Sequence, residues 1–159
     1  MALKPDRVVE MTDVTNILSD VAEKGVVLCF ETYGSGSTLG DSHGEVQLAA
    51  SASGLKVAGV LLQDFVNIDE TLYTRNMHKE EAVVGDFADV MTRGWVLTNK
   101  YTGTPTGGSK AYLTANGVVT PTVSATGGTA ATPFVGVFGG SPDEDGYVKL
   151  HINRGGYFE

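Results

Sequence analysis

The residues best placed for chemistry in this 159-residue chain are acidic and lie near its end, in SPDEDGYVKLHINRGGYFE, residues 141 to 159. A calcium loop of the EF-hand type takes oxygen ligands at loop positions 1, 3, 5, 9 and 12 around a glycine at position 6. With Gly146 at the glycine position, Asp143 and Asp145 fall on two of the ligand positions, but Ser141, Lys149 and Ile152 occupy the first, ninth and twelfth. An ammonium and an isoleucine supply no oxygen, so the sequence predicts a structural turn and no metal. Val148, Leu150 and Ile152 then alternate with polar residues in the period of a half-buried strand.

Other reactive residue types fare no better. Cys29 has three histidines to draw on, His43, His78 and His151, but it sits in the apolar run Val26-Val27-Leu28-Cys29-Phe30, where a small buried side chain is expected and not a nucleophile. His78-Lys79-Glu80-Glu81 reads as an exposed polar stretch. Asp64, Asp69, Asp86 and Asp89 are carboxylates whose pairing into a glycosidase dyad no spacing can show. Gly34-Ser35-Gly36 with Gly40 resembles a phosphate-cradling turn, yet no helix begins there to present its N–H groups. Gly139-Gly140-Ser141-Pro142-Asp143 lacks the last glycine of a nucleophile elbow. The expectation is a protein with no catalytic residues, no cofactor and no enzymatic activity.

The composition narrows the class further. Eleven Lys and Arg against 19 Asp and Glu give a net charge of -8, and the basic residues are scattered, which argues against a nucleic-acid partner. A single cysteine permits no intrachain disulfide and fits synthesis in a reducing compartment. No apolar run has the length of a signal peptide or a membrane span, so the expected protein is soluble, with no membrane partner. Glycine, 21 of the 159 residues, is about twice as frequent as the ~7% average, which suits many short strands separated by turns.

These elements must position whatever the chain contacts. Val14, Ile17, Leu18 and Val21 fall at i, i+3, i+4 and i+7 after Thr12-Asp13, and Gly25 follows Lys24, which predicts one short helix over residues 14 to 24. Residues 1 to 12 form an extended N-terminal arm before a β-rich domain of residues 13 to 159. Strands are expected over 25 to 31, 45 to 50 and 57 to 66, with two or three short ones in 80 to 99, bent at Gly85 and Gly94. Asn116-Gly117 predicts a hairpin. Phe134–Phe138, the acidic turn and a last strand complete eight to ten strands. The fold class is mainly β, a single-domain β-sandwich or β-barrel with one short N-terminal helix.

Two segments look made for contacts. Leu3, Lys4, Arg7, Val8, Val9 and Met11 lie in an arm with no helical spacing, of the kind that adds itself as a strand to a partner's sheet edge. Tyr157 and Phe158, beyond a glycine pair, are aromatic anchors for a pocket on a neighbouring subunit.

Four stretches carry a family resemblance: VAGVLLQDFVNIDE (57 to 70), HKEEAVVGDFADVMTRGWVLTN (78 to 99), KAYLTANGVVTPT (110 to 122) and FVGVFGGSPDEDGYVKLHI (134 to 152). In order and spacing, over about residues 25 to 153, the chain resembles the decoration or cement proteins of tailed bacteriophage heads. The resemblance implies a non-enzymatic virion protein, made in the host bacterial cytoplasm, that binds the outer surface of the assembled head. It also implies a homo-oligomer, a trimer at local threefold positions, that stabilises the capsid by bridging major capsid protein subunits. A phage tail or receptor-binding component, and a small-molecule-binding β-barrel, are the alternatives.

Overall fold

A computed structural model of the chain describes residues 3–31, 44–48, 50–51, 54–67, 81–123 and 132–154. Eleven strands account for most of them: β1 (Leu3–Leu18), β2 (Val27–Phe30), β3 (Gly44–Gln47), β4 (Val57–Leu61), β5 (Asp64–Val66), β6 (Glu81–Val83), β7 (Phe87–Thr98), β8 (Lys110–Leu113), β9 (Val119–Thr120), β10 (Phe134–Phe138) and β11 (Val148–Asn153). Nine of them form one sheet in the order β1-β3-β2-β4-β7-β11-β10-β8-β9, and β5 pairs in parallel with β6. Because β1 also pairs with β7, the strands β1-β3-β2-β4-β7 close on themselves as a barrel.

Strand β7 is the shared wall. Along one edge it pairs with β1 from Phe87 to Thr98; along the other it meets β4 at Val90 and Met91 and then β11 from Arg93 to Thr98. The core divides accordingly. Leu18, Leu28, Val46, Ala58, Ala88 and Val90 come one or two from each barrel strand and fill the barrel interior. Cys29, Val60, Met91 and Val96 turn to the other side of the wall, where Leu113, Phe138, Leu150 and Ile152 from the β8 to β11 sheet cover them. A strand buried on both faces must be apolar at consecutive positions, as Val26–Cys29 are.

The predicted helix is not there. Val14, Ile17 and Leu18 lie at the end of β1, and the chain from residue 19 to 26 is irregular, with Ala22 bridging Phe65. Among the described residues the helical content is one 3-10 turn, Ala115–Gly117. The spacing suggested a helix, but six of the ten residues from Val8 to Ile17 are β-branched. Such side chains are stiff at χ1 and pack better on a pleated surface. The helical reading would have buried Val14 and Val21 on one face, yet they are 51% and 59% exposed.

Segment 80 to 99 also differs from expectation. Gly85, at φ +96, does turn the chain between β6 and β7, but β7 runs through Gly94 without a break. Gly94, at φ +137, is paired with Val9 on one side and Ile152 on the other, and a Cβ there would strike the Val8 carbonyl oxygen. Glycine at this point lets the two strands approach. The Asn116-Gly117 hairpin forms as predicted, both residues at positive φ, joining β8 to β9 with Leu113 opposite Val119.

Residues 3 to 12, expected as an arm that adds itself to a partner's sheet edge, are paired with β7 in the same strand as residues 13 to 18. Leu3, 2% exposed, belongs to the core and is not a surface contact. Leu3→Ala should therefore lower unfolding free energy by about 3 kcal/mol, as a core truncation does, measured by urea denaturation. Met11→Ala, at a site 59% exposed, should leave it unchanged within roughly 0.5 kcal/mol.

Candidate functional site

Strand β1 is anchored at both ends and bare in between. Its last residues, Asn16–Leu18, pair with β3, Asn16 and Ile17 also pair with β7, and Leu18 is fully buried. At its start Leu3 plugs into the core, and the Lys4 ammonium lies 2.7 Å from Asp143 Oδ2 and 3.1 Å from Asp145 Oδ2. From residue 8 to residue 12 every side chain is exposed. Successive residues of a strand point to opposite faces, so both faces of β1 meet solvent here. Val8 (44%), Val9 (38%), Met11 (59%) and Val14 (51%) put apolar area there.

The acidic turn that raised the question of a metal is the far half of the Lys4 anchor. Asp143 Oδ1 accepts hydrogen bonds from the backbone N–H groups of Asp145 (3.1 Å) and Tyr147 (2.7 Å), and Gly146 sits at φ +76. Both carboxylate oxygens of Asp143 are thus engaged, one by the turn and one by Lys4. The Lys4 hydrogen bond, with help from the Tyr147 N–H, holds the Asp143 carboxyl below its ordinary range, and the hydrogen bonds to Asp143 and Asp145 raise Lys4. Lys4 also lies 4.5 Å from the centre of the Tyr147 ring. The sequence separates these residues by 139 positions, and no local signal reports such a pairing.

Charged side chains flank the bare stretch. Arg93 Nε is 2.7 Å from Glu10 Oε2, and Arg154 reaches Asp13 at 3.3 Å while lying 5.0 Å from the Phe30 ring centre. The Thr15 hydroxyl and N–H, and then Arg154, keep the Asp13 carboxyl below its usual value. Beside Met11–Thr15, with Thr92, Arg93 and Arg154 on its other side, runs a surface groove of about 640 Å³. A second groove, about 310 Å³, lies between Val57 and Phe134. Asn153 and Arg154 line both grooves.

Of the sequence-predicted contact residues, Lys4, Arg7, Val8, Val9 and Met11 share one strand, Leu3 is buried, and Tyr157 and Phe158 lie outside the described residues. Val14, Glu10 and Arg154 were missed: Val14 had been assigned to the helix, and Arg154 is brought to β1 only by β11. His43, His78, Lys79, Glu80 and Asp69 also fall outside the described residues, as does most of the glycine-serine loop. Burial pushes the Cys29 thiol up to about 11, so it remains protonated at neutral pH and is a poor nucleophile. Asp64 is taken by the Lys24 N–H at 2.7 Å and Asp89 by the Gln63 amide at 2.8 Å. Among the described residues no three His, Cys, Asp or Glu side chains gather as a metal site would.

A family model for "Structural cement protein (E217 gp24/Pam3 gp6)" matches residues 7–153. The chain belongs to this family of phage structural cement proteins. It is a capsid-associated structural protein, and the match spans the barrel, the wall strand and the covering sheet. No curated protein matches the chain.

In this cement protein the Lys4 anchor should titrate with a definite sign. Asp143 is depressed in the folded state, so its contribution is present above the unfolded carboxyl value near 3.8 and is lost as pH falls through the lower folded value. Lys4→Met should lower the melting temperature at neutral pH. The gap to the native protein should shrink below pH 3.8 and close at lower pH, and it should narrow in high salt. A gap independent of both would mean that the Lys4 methylenes, and not its charge, hold the strand.

Proposed function

We propose that this cement protein attaches to the outer surface of the phage head through the exposed middle of β1 and stabilises the shell by bridging major capsid protein subunits. The observation that carries the reading is the bare apolar stretch Val8, Val9, Met11 and Val14 on a strand whose ends are fixed in the fold. A strand held rigidly at both ends presents its side chains without the entropic cost that ordering a loose arm would add. Arg7 places a positive charge beside this stretch on an otherwise acidic protein, Lys4 being paired with Asp143 and Asp145, and it suits an acidic group on the shell. Tyr157 and Phe158 are a second attachment element in this reading. The role is structural and non-enzymatic, on the virion exterior, with the protein made in the host bacterial cytoplasm.

Removing residues 2 to 12 is a poor test, because it strips Leu3 from the core and leaves one edge of β7 unpaired. Point changes on the exposed side chains are cleaner. Met11→Asp and Val14→Asp should leave the melting temperature within a degree or two of the native value. Each should weaken cosedimentation with undecorated heads by roughly tenfold, the effect of losing one buried apolar side chain at about 1.5 kcal/mol. Undiminished attachment of the double variant would move the contact off β1, and antibody labelling of tails in place of heads would overturn the capsid assignment.

A further inference from the structure

Direct cross-strand partners share a face of a sheet. The pairs Val8–Trp95, Trp95–His151, His151–Val137 and Val137–Lys110 therefore place one row of side chains across β1, β7, β11, β10 and β8. Their chain neighbours Val96, Leu150, Phe138 and Ala111 are buried in the core on the opposite side, so the row points outward. Leu97 with Lys149 makes the next row of this face, and Arg93 with Asn153 the row on the other side, where the groove beside Met11–Thr15 adjoins it. The protein carries 19 Asp and Glu, yet none lies in Arg93–Thr98, Lys110–Leu113, Phe134–Phe138 or Val148–Asn153, the segments that build this face. Arg93 is matched by Glu10 from β1, but Lys110, Lys149 and His151 have no carboxylate partner among the described residues. The Lys149 ammonium lies instead 3.9 Å from the centre of the Trp95 ring. Burial, and then that ammonium, hold His151 below its ordinary value. Asp143 and Asp145, in the turn before β11, are already held by Lys4.

We propose that this face binds an acidic, extended segment of a partner protein, with its carboxylates on Lys110, Lys149 and His151 and its apolar side chains against Trp95 and Val137. A net charge of -8 repels acidic partners from most of the surface, so a basic island without internal counter-charge selects where such a segment docks. Carboxylates on alternate residues of an extended chain are about 7 Å apart, the spacing expected of Lys149 and His151 along β11. A nucleic acid fits less well. Its phosphates continue as a line of charge beyond the island into acidic surface, and the Trp95 ring that a base would need for stacking already faces Lys149. Gly139 keeps the island open, because a Cβ there would lie 3.0 Å from His151 Nε2 and 3.1 Å from Lys149 Cδ. This contact is additional to the bare stretch of β1, which it adjoins at Val8, and does not depend on it.

Trp95 is the only tryptophan in the chain, so its fluorescence reports on this face alone. Poly-L-glutamate, extended at neutral pH, is the probe. Titrated into the native protein at low salt, it should change Trp95 emission saturably, and the affinity should fall as salt is added. Lys110→Glu, at an exposed site, should weaken binding by about tenfold. Lys56→Glu makes the same change in net charge at a lysine that also lacks a carboxylate partner among the described residues but lies off the face, beside the smaller groove, and should leave the affinity unchanged. Lys149 is the charged side chain beside His151, while Trp95 and Val137, opposite it on β7 and β10, carry no charge. A bound carboxylate favours protonated His151, so binding should tighten as pH falls toward and below the ordinary histidine value of 6.5 in the native protein and not in His151→Gln. Melting temperatures confirm that each variant is folded. No saturable change in emission overturns the proposal, as does equal affinity in Lys110→Glu and the native protein. Tighter binding of a single-stranded oligothymidylate than of poly-L-glutamate assigns the face to nucleic acid and overturns it too. No heads are used, so the β1 contact is decided separately, by cosedimentation.

Discussion

Everything in this protein depends on keeping both edges of β7 hydrogen-bonded, since seven of its twelve residues are buried. A buried, unpaired backbone group costs on the order of 1 to 3 kcal/mol, and β7 has twelve residues to satisfy. No single partner does it. On one side β1 supplies a strand long enough to run its whole length, and on the other β4 and β11 divide the task. Closure of the barrel follows from β1 being shared between β7 and β3, and the second core follows from β11 bringing the β8 to β10 layer against the wall. The glycine at position 94 is where this three-strand contact is tightest, because a side chain there would displace the β1 backbone.

That dependence explains why β1 is so poorly covered. Its backbone is needed by β7, but its middle side chains are needed by nothing inside the fold. Such a strand would be a liability in a protein that spent its life alone. In the attachment proposed above, a strand of this kind would let a second molecule be gripped without rearranging the first.

The sequence disclosed what is local. The apolar run at Val26–Cys29, the alternation at Val148, Leu150 and Ile152, and the turn chemistry of Asn116-Gly117 each carry their own physical signal, and each forms as read. The order and spacing of glycine-punctuated strands sufficed to point to the family. What escaped is what long-range pairing decides. Val14, Ile17, Leu18 and Val21 satisfy a helical period, and only the demand of β7 for a neighbour makes their stretch extended. Leu3 looks like an exposed hydrophobe in a short polar segment, and its burial depends on strands more than ninety residues away, as its pairing with Thr98 shows. Asp143 was legible as a turn residue, but its ammonium partner lies at the opposite end of the chain.

The antiparallel alignment of β1 with β7 also decides how a load is carried. When two long paired strands are drawn apart along their own axis, all the rungs between them strain together and none fails first. When they are drawn apart sideways, the rungs give way one after another, beginning at an end. Here the two ends of β1 are the places where a sideways pull would start, and they carry the buried leucines Leu3 and Leu18, with the Lys4 clamp beside the first. Tension applied across the exposed middle therefore has to travel outward through the whole ladder before it reaches a closed end.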